Sequence, residues 1–126
     1  MSFNWSEYLW LANALLSDPN SPGPEEASFR SAISRAYYAA FCSARNFGRD
    51  RREFVPQRDA RDHWLVINTF SNSYDRDRRK IGLDLDRLYT HRCLADYEDF
   101  LRDPGSTAKA SVETARKVIS GLKSLS

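Results

Sequence analysis

Apolar and polar positions alternate along this chain with the period of an amphipathic helix. In the longest such segment, Phe29, Ile33, Ala36, Ala40 and Ala44 recur at steps of three or four residues, which is the spacing of one helix face. Similar stripes mark four further segments. The sequence therefore predicts five helices, over about residues 5–17, 25–47, 59–74, 76 (or 80) to 100 and 106 (or 107) to 122.

The segments between these stripes contain residues that end helices. A proline-rich stretch, Asp18–Pro24, separates the first two helices, Gly48 is expected to end the second, and Asp103-Pro104-Gly105 precedes the last. The residues that follow Gly48 are strongly charged and are predicted to form a loop, and the sequence leaves open whether residues 48–58 are ordered. The alternation Leu83-Asp84-Leu85-Asp86 is compatible with a short strand, but the longer helical periodicity favours a helix there.

Length and composition indicate how many domains these helices form. The chain has 126 residues, of which 41% are hydrophobic, which is enough for one core and too little for two ordinary domains. We find no internal repeat and no sheet pattern. The sequence therefore predicts one all-α domain over residues 1–126, an up-and-down bundle of four long helices plus a shorter one.

The charge of the chain excludes one class of nucleic-acid-binding protein. Its 17 acidic and 19 basic residues give a formal charge of +2, so the molecule is not a polycation, and contact with nucleic acid requires local patches. Of the basic residues, 15 are Arg and 4 are Lys. Arg binds phosphate and carboxylate bidentately, so this bias fits RNA binding and ion-pair networks equally well.

Cysteine usage and hydropathy point to a reduced, membrane-free environment. Cys42 and Cys93 lie far apart within predicted helices, with no Cys-x-x-Cys and no Cys/His cluster. We therefore expect buried thiols, no metal site and no cofactor. No stretch has the length and apolar character of a signal or membrane span, so a cytoplasmic protein without membrane contact is expected.

One arginine occupies a position where the helical pattern calls for an apolar residue. Ile81, Leu85, Leu88, Arg92 and Ala95 share one face of the fourth helix, so the Arg92 side chain should point inward. An unpaired buried charge is strongly unfavourable, and Asp96, one turn later, is the nearest expected partner. One interpretation is that this ion pair has the structural role of fixing the register of the helices. The competing interpretation is that Arg92 binds a phosphate ligand.

Three pieces of sequence together resemble the HEPN superfamily. They are Ser34-Arg35-Ala36-Tyr37-Tyr38-Ala39-Ala40-Phe41 on the second helix, His63 on the third, and Arg92-Cys93-Leu94-Ala95-Asp96-Tyr97 on the fourth. The resemblance is to small stand-alone members of that superfamily and spans about residues 8 to 122. Order and spacing of the predicted helices agree with it.

The resemblance implies a fold and a set of possible functions. It implies a helical bundle that forms a homodimer, paired with a nucleotidyltransferase partner protein in a prokaryotic toxin-antitoxin or defence module. Many members are metal-independent endoribonucleases that use an Arg, four to six further residues and then a His. In such a site the imidazole moves a proton while the guanidinium stabilises charge on the phosphorane.

This sequence departs from that catalytic motif at one position. Arg92 matches the arginine, but the residue after four intervening positions is Tyr97 rather than His. Phenols ordinarily titrate near pH 10, which makes them poor general bases at neutral pH, although they can donate a hydrogen bond to phosphate. His91 neighbours Arg92 and should point about 100° away from it on a helix. His63 follows Arg58 by five positions, but not at the motif's place in the fold.

The resemblance and the residue chemistry together define a candidate site. Arg92 and Tyr97 are the candidate catalytic pair, and His63 and Tyr37 are expected to support the site, with His63 hydrogen-bonded to Tyr37 or Tyr38. The candidate phosphate-binding residues are Arg92, Asp96, Tyr38 and Arg35.

Three functions follow as alternatives. The first is a nucleotide- or RNA-binding, toxin-like component of a two-component module. The second is a metal-independent endoribonuclease that uses Arg92 with a histidine outside the motif, His63 or His91. The third is a non-catalytic partner module for a nucleotidyltransferase. A basic cleft at Arg92 favours the first two, whereas sealing of Arg92 by Asp96 within one subunit favours the third.

Overall fold

The computed structural model describes residues 2–17 and 24–125, and within them every regular element is an α-helix. This confirms the prediction of an all-α, five-helix bundle. Three helices have more than 20 residues and two have 11, where the sequence predicted four long helices and a shorter one. The helices are α1 (Glu7–Ser17), α2 (Glu25–Asp50), α3 (Arg61–Ser71), α4 (Arg76–Tyr97) and α5 (Pro104–Ser124).

Helix α2 is the centre of the bundle and packs against all four other helices. Small side chains make this possible, because alanines allow neighbouring backbones to approach closely. Ala32, Ala36, Ala40 and Ala44 are all fully buried along it. The predicted stripe of α4 is also confirmed, since Ile81, Leu85, Leu88 and Ala95 are buried on the side that faces the core.

Gly48 does not end α2, which continues to Asp50. The residue is buried inside the last turns of the helix, and a Cβ at this position would overlap the ring of Phe54. The glycine therefore permits a close approach of the following loop rather than a left-handed helix end. The expectation that it marked a helix end was wrong for that reason.

The third helix ends earlier along the chain than the periodicity predicted. Helix α3 ends at Ser71, and Tyr74, which the predicted helix over 59–74 included, is fully exposed. Asp75 caps α4 by accepting a hydrogen bond from the backbone N–H of Asp77 at 3.0 Å. The alternating segment from Leu83 to Asp86 lies within α4, so the helical interpretation of it was right.

The ends of α4 and α5 also differ from the prediction. Helix α4 ends at Tyr97, and the guanidinium of Arg30 donates hydrogen bonds to the backbone oxygens of Ala95, Glu98 and Asp99 just there. Helix α5 begins at Pro104 rather than at Ser106 or Thr107. Proline suits a first helical position because its φ angle is already helical and its missing N–H would have no partner. Of the predicted connection at 18–24, only Pro24 lies within the described residues.

The charged loop between α2 and α3 is held at several points. The buried carboxylate of Asp62 accepts hydrogen bonds from the backbone N–H groups of Gln57 at 2.7 Å and Arg58 at 2.9 Å. Glu53 forms an ion pair with Arg78 of α4. These contacts give the loop a defined conformation. The sequence had left open whether these residues are ordered.

Two further properties of the described residues bear on the environment of the protein. Cys42 and Cys93 are both free thiols, Cys42 buried and Cys93 partly so. Within residues 2–17 and 24–125, no helix combines the length and the apolar character needed to cross a bilayer.

Candidate functional site

The candidate site is built around Arg92, at the place where the second half of α4 packs on α2. Its side chain is only 13% exposed. One guanidinium nitrogen, Nη2, donates a hydrogen bond of 2.6 Å to the hydroxyl of Tyr38 on α2. The Nε atom lies 3.0 Å from Oδ2 of Asp96, but its N–H is not aligned as a hydrogen bond. Arg92 therefore ties α4 to α2, with Asp96 as the expected ionic partner.

A serine that the sequence did not assign to the site holds this carboxylate in place. The Ser34 hydroxyl lies 3.2 Å from Oδ2 of Asp96 and donates to it. Ser34 precedes Tyr38 by four positions on α2, so both side chains project from one helix face. That i, i+4 spacing was the signal in the sequence that could have identified Ser34.

The side chain of a second arginine, Arg35, also contacts the ring of Tyr38. Its guanidinium carbon is 5.3 Å from the centroid of the Tyr38 ring and 4.7 Å from that of Tyr8 on α1. No carboxylate of the described residues forms an ion pair with it. Tyr8 was not among the site residues predicted from the sequence. We call Arg35, Tyr38, Arg92, Asp96 and Tyr97 the two-arginine site.

Tyr97 forms the outer edge of the two-arginine site. Its ring centroid is 5.7 Å from the guanidinium carbon of Arg92, within the range of a cation–π contact. The side chain is 73% exposed. Tyr97 therefore presents an aromatic face to solvent directly beside the Arg92 cation.

The local environment keeps the tyrosine neutral and the arginine charged. Burial raises the pKa of the Tyr38 phenol, although the Arg92 charge opposes the shift. For Arg92, burial opposes the charge, but Tyr38, Cys93 and Asp96 outweigh it and raise the pKa of the guanidinium further. With its two arginines and one carboxylate, the site carries an excess of one positive charge.

His63 lies behind the two-arginine site in an aromatic cluster. Its Nδ1 is 2.5 Å from the hydroxyl of Tyr37, the hydrogen bond to α2 expected from the sequence. The imidazole ring stacks on Phe41 with centroids 4.6 Å apart and lies 5.2 Å from the ring of Tyr89. Burial and then the Arg92 charge lower the pKa of His63. The ring is therefore neutral at neutral pH.

The other histidine is not part of this arrangement. His91 is half-buried, and burial followed by the charge of Arg87 lowers the pKa of its imidazole. Within residues 2–17 and 24–125, no hydrogen bond or ion pair joins it to the two-arginine site. The same part of the chain contains no group of three His, Cys, Asp or Glu side chains placed to hold a metal ion.

Comparisons of this chain with protein-family models, with curated proteins and with solved structures find no match. The likeness of its tyrosine, histidine and arginine motifs to the HEPN superfamily thus stays a prediction. Its function has to be argued from the chemistry of the two-arginine site.

Proposed function

We propose that this protein binds phosphate groups of RNA at the two-arginine site. The observation that supports the proposal is the placement of Arg35 and Arg92 on the ring of one tyrosine, Tyr38, at 5.3 and 5.2 Å, with Asp96 as the one carboxylate of the described residues in contact with either. Two like charges gathered about one ring, with a single carboxylate beside them, favour the binding of an anion there.

The donors of the site suit a phosphodiester. A guanidinium presents several N–H groups in a planar fork that matches two phosphate oxygens, and among residues 2–17 and 24–125 Arg92 makes one strong hydrogen bond, to Tyr38. Tyr97 offers an exposed ring on which a base next to the bound phosphate could stack. This pairing of cation and aromatic ring favours single-stranded RNA over an isolated phosphate ion.

The biological setting of the proposal comes from the resemblance. We place the protein as an RNA- or nucleotide-binding, toxin-like component of a prokaryotic two-component module, acting as a cytoplasmic homodimer beside a nucleotidyltransferase. No cofactor is part of this proposal. Catalysis would need a proton carrier close to Arg92.

His63 is the imidazole that could extend the proposal to an endoribonuclease. It is linked to the site through Tyr37, whose ring is 6.0 Å from the Arg92 guanidinium carbon. Its lowered pKa leaves it unprotonated at neutral pH, which is the form a general base requires. Cleavage of RNA that persists in EDTA and is lost in a folded His63→Gln variant would support this extension.

A second candidate function is supported by the ion pair within the subunit. Arg92 and Asp96 contact each other at 3.0 Å with side chains 13% and 28% exposed, which is the geometry of a structural tie. If that were the whole role of Arg92, the protein would be a non-catalytic partner module for a nucleotidyltransferase. The two candidates differ in whether RNA binding depends on Arg92 and Arg35.

The proposal is tested by titrating a short fluorescent single-stranded RNA with the protein in EDTA and following anisotropy. We expect Arg92→Ala and Arg35→Gln each to raise the dissociation constant by roughly tenfold or more, because each removes a charged phosphate contact. Arg35 has no carboxylate partner in the described residues, so Arg35→Gln should leave folding intact even if Arg92→Ala weakens the bundle.

Arg76→Ala is the matched control. Arg76 is an exposed arginine at the first position of the same helix, far from the site along α4, and its loss removes the same charge. It should change the dissociation constant by less than about twofold. Equal affinities for the wild type, Arg35→Gln and Arg92→Ala would reject RNA binding at this site and favour the partner-module candidate.

A further inference from the structure

An apolar pocket opens on the surface where the loop after α2 meets α3. It has a volume of about 510 Å³ and is lined by Phe54, Val55, Gln57, Arg61, Trp64 and Leu65. Trp64 is 69% exposed and Val55 75% exposed. We call this surface the Trp64 pocket. It lies outside the two-arginine site and is not used by the proposed RNA contact.

The walls of the Trp64 pocket are held rigidly. Asp62 fixes the loop through two backbone hydrogen bonds, and Phe54 is seated against Gly48 of α2. Arg52 and Arg58, which bracket the loop residues of the pocket, have φ angles of 59° and 63°. Such left-handed conformations are unfavourable for residues with a side chain and persist where the surrounding structure enforces them. A surface held in this way is preorganised for a partner.

The charge left free around the pocket is positive. The nearby carboxylates are already engaged: Asp50 with Arg49, Glu53 with Arg78, Asp59 with Arg61, and the buried Asp62 with the backbone N–H groups of Gln57 and Arg58. Within the described residues, no acidic side chain forms an ion pair with Arg52 or Arg58. A segment that fills the Trp64 pocket should therefore carry apolar side chains together with carboxylates.

The chain itself contains such a segment at the end of α4. Residues 96–100 read Asp-Tyr-Glu-Asp-Phe, with Tyr97 73% and Phe100 81% exposed. The carboxylates of Glu98 and Asp99 are exposed and form no ion pair within the described residues. The guanidinium of Arg30 holds the backbone of the segment through the oxygens of Glu98 and Asp99. Residues 96–100 are called the acidic aromatic segment.

We propose that these two surfaces belong to one interface between two copies of this chain. The acidic aromatic segment of each copy docks in the Trp64 pocket of the other, with Phe100 against Trp64 and the carboxylates against Arg52 and Arg58. A two-fold axis makes both contacts at once. The inference rests on the homodimer of the proposed function, for which it names the surface.

The area available is that of a small interface. Val55, Trp64, Tyr97 and Phe100 are each more than two-thirds exposed. Aromatic side chains bury about 150–250 Å² each, so two symmetric contacts remove on the order of 1,000 Å² from water, which reaches the threshold for a biological interface and corresponds to a weak dimer. The contact also places Tyr97, the edge of the two-arginine site, at the seam between subunits.

Charge exchange between two variants tests the pairing. One variant carries Arg52→Glu and Arg58→Glu, and the other carries Glu98→Lys and Asp99→Lys. In sedimentation experiments each variant alone should dissociate at roughly tenfold or more higher concentration than the wild type, because like charges face each other in both contacts. An equimolar mixture should recover a dimer, since both of its contacts again join opposite charges.

Trp64→Ala tests the apolar half of the contact, with Trp10→Ala as its matched control. Trp10 lies on α1 and is 74% exposed, so its substitution removes a similar area of exposed aromatic surface on a different helix. We expect Trp64→Ala to raise the dimer dissociation constant by roughly thirtyfold or more and Trp10→Ala to change it less than about twofold.

The outcomes separate this interface from the proposed function. A wild-type protein that stays monomeric would overturn both the dimer and its surface, and the Trp64 pocket would then fit an acidic segment of another protein. A dimer that survives Trp64→Ala and the charge variants, with no recovery on mixing, would overturn the surface alone. RNA binding measured on Trp64→Ala and Trp10→Ala, which leave the two-arginine site unchanged, reports on that site separately.

Discussion

The donors of Arg92 are used unequally. Nη2 has a strong hydrogen bond to Tyr38, Nε faces Asp96 without alignment, and Nη1 approaches only the sulfur of Cys93 at 3.8 Å. Thiols are weak acceptors. The buried nitrogen without an aligned hydrogen bond is Nε, which faces Asp96. The donor left for a phosphate oxygen is therefore Nη1, whose partner is only a weak acceptor.

The histidines make the stability of the fold depend on pH. Burial, with Arg92 for His63 and Arg87 for His91, lowers the folded-state pKa of both imidazoles below the unfolded value of 6.5. The unfolded chain therefore takes up protons first as pH falls. The free energy of unfolding should be at its full value above pH 6.5 and should decrease below it. Urea unfolding between about pH 7.5 and pH 5.5, where carboxylates stay ionised, measures this decrease.

Two variants assign this pH dependence to its residues. His63→Gln and His91→Gln should each reduce the loss of stability on acidification, and the double variant should remove most of it. A wild-type stability that does not change over this pH range, or an unchanged slope in the double variant, would contradict the burial of neutral imidazoles.

Among the elements, α3 and α4 approach each other at a glycine. A Cβ on Gly82 would lie 2.5 Å from the backbone nitrogen of Ser71 and 2.7 Å from its Cα, so the backbones touch where α3 ends. Backbone cannot move aside as a side-chain terminus can. By contrast, a Cβ on Gly121 of α5 would meet only the end of the Ile81 side chain, at 3.3 Å.

This difference predicts opposite effects for one substitution. Gly82→Ala should lower the free energy of unfolding by roughly 2 kcal/mol, because overlap with backbone outweighs the better helix propensity of alanine. Gly121→Ala should change stability little or raise it by up to about 1 kcal/mol. Chemical denaturation of both variants checks the pair. Equal effects would mean that α3 and α4 are not packed this closely.

At the scale of the whole molecule, local patterns predicted more than long-range contacts. The helical period identified all five helices, and the i, i+4 spacing of Arg92 and Asp96 identified that ion pair. Gly48 was misread because its partner, Phe54, lies beyond the end of the helix. A single sequence does not show such an approach.

The same difference between local patterns and long-range contacts holds for the two-arginine site. Tyr38 and His63 could be assigned from the resemblance, and their contacts to Arg92 and Tyr37 are present. Arg35 was among the predicted phosphate-binding residues, but its contact with the ring of Tyr8 was not predicted, because Tyr8 lies on a different helix. Helical periodicity gives the face of one helix but not which neighbour covers it.

The most direct test of phosphate binding observes the guanidinium groups themselves. We would record the ¹⁵N–¹H spectrum of the arginine Nε–H groups while adding single-stranded RNA, with assignments from Arg92→Lys, Arg35→Lys and Arg76→Lys. The signals of Arg92 and Arg35 should shift until they reach saturation, and the dissociation constant fitted to these shifts should equal the one measured by anisotropy. The signal of Arg76 should not move. Saturating shifts confined to Arg76 and other exposed arginines, with Arg92 and Arg35 unmoved, would contradict RNA binding at the two-arginine site.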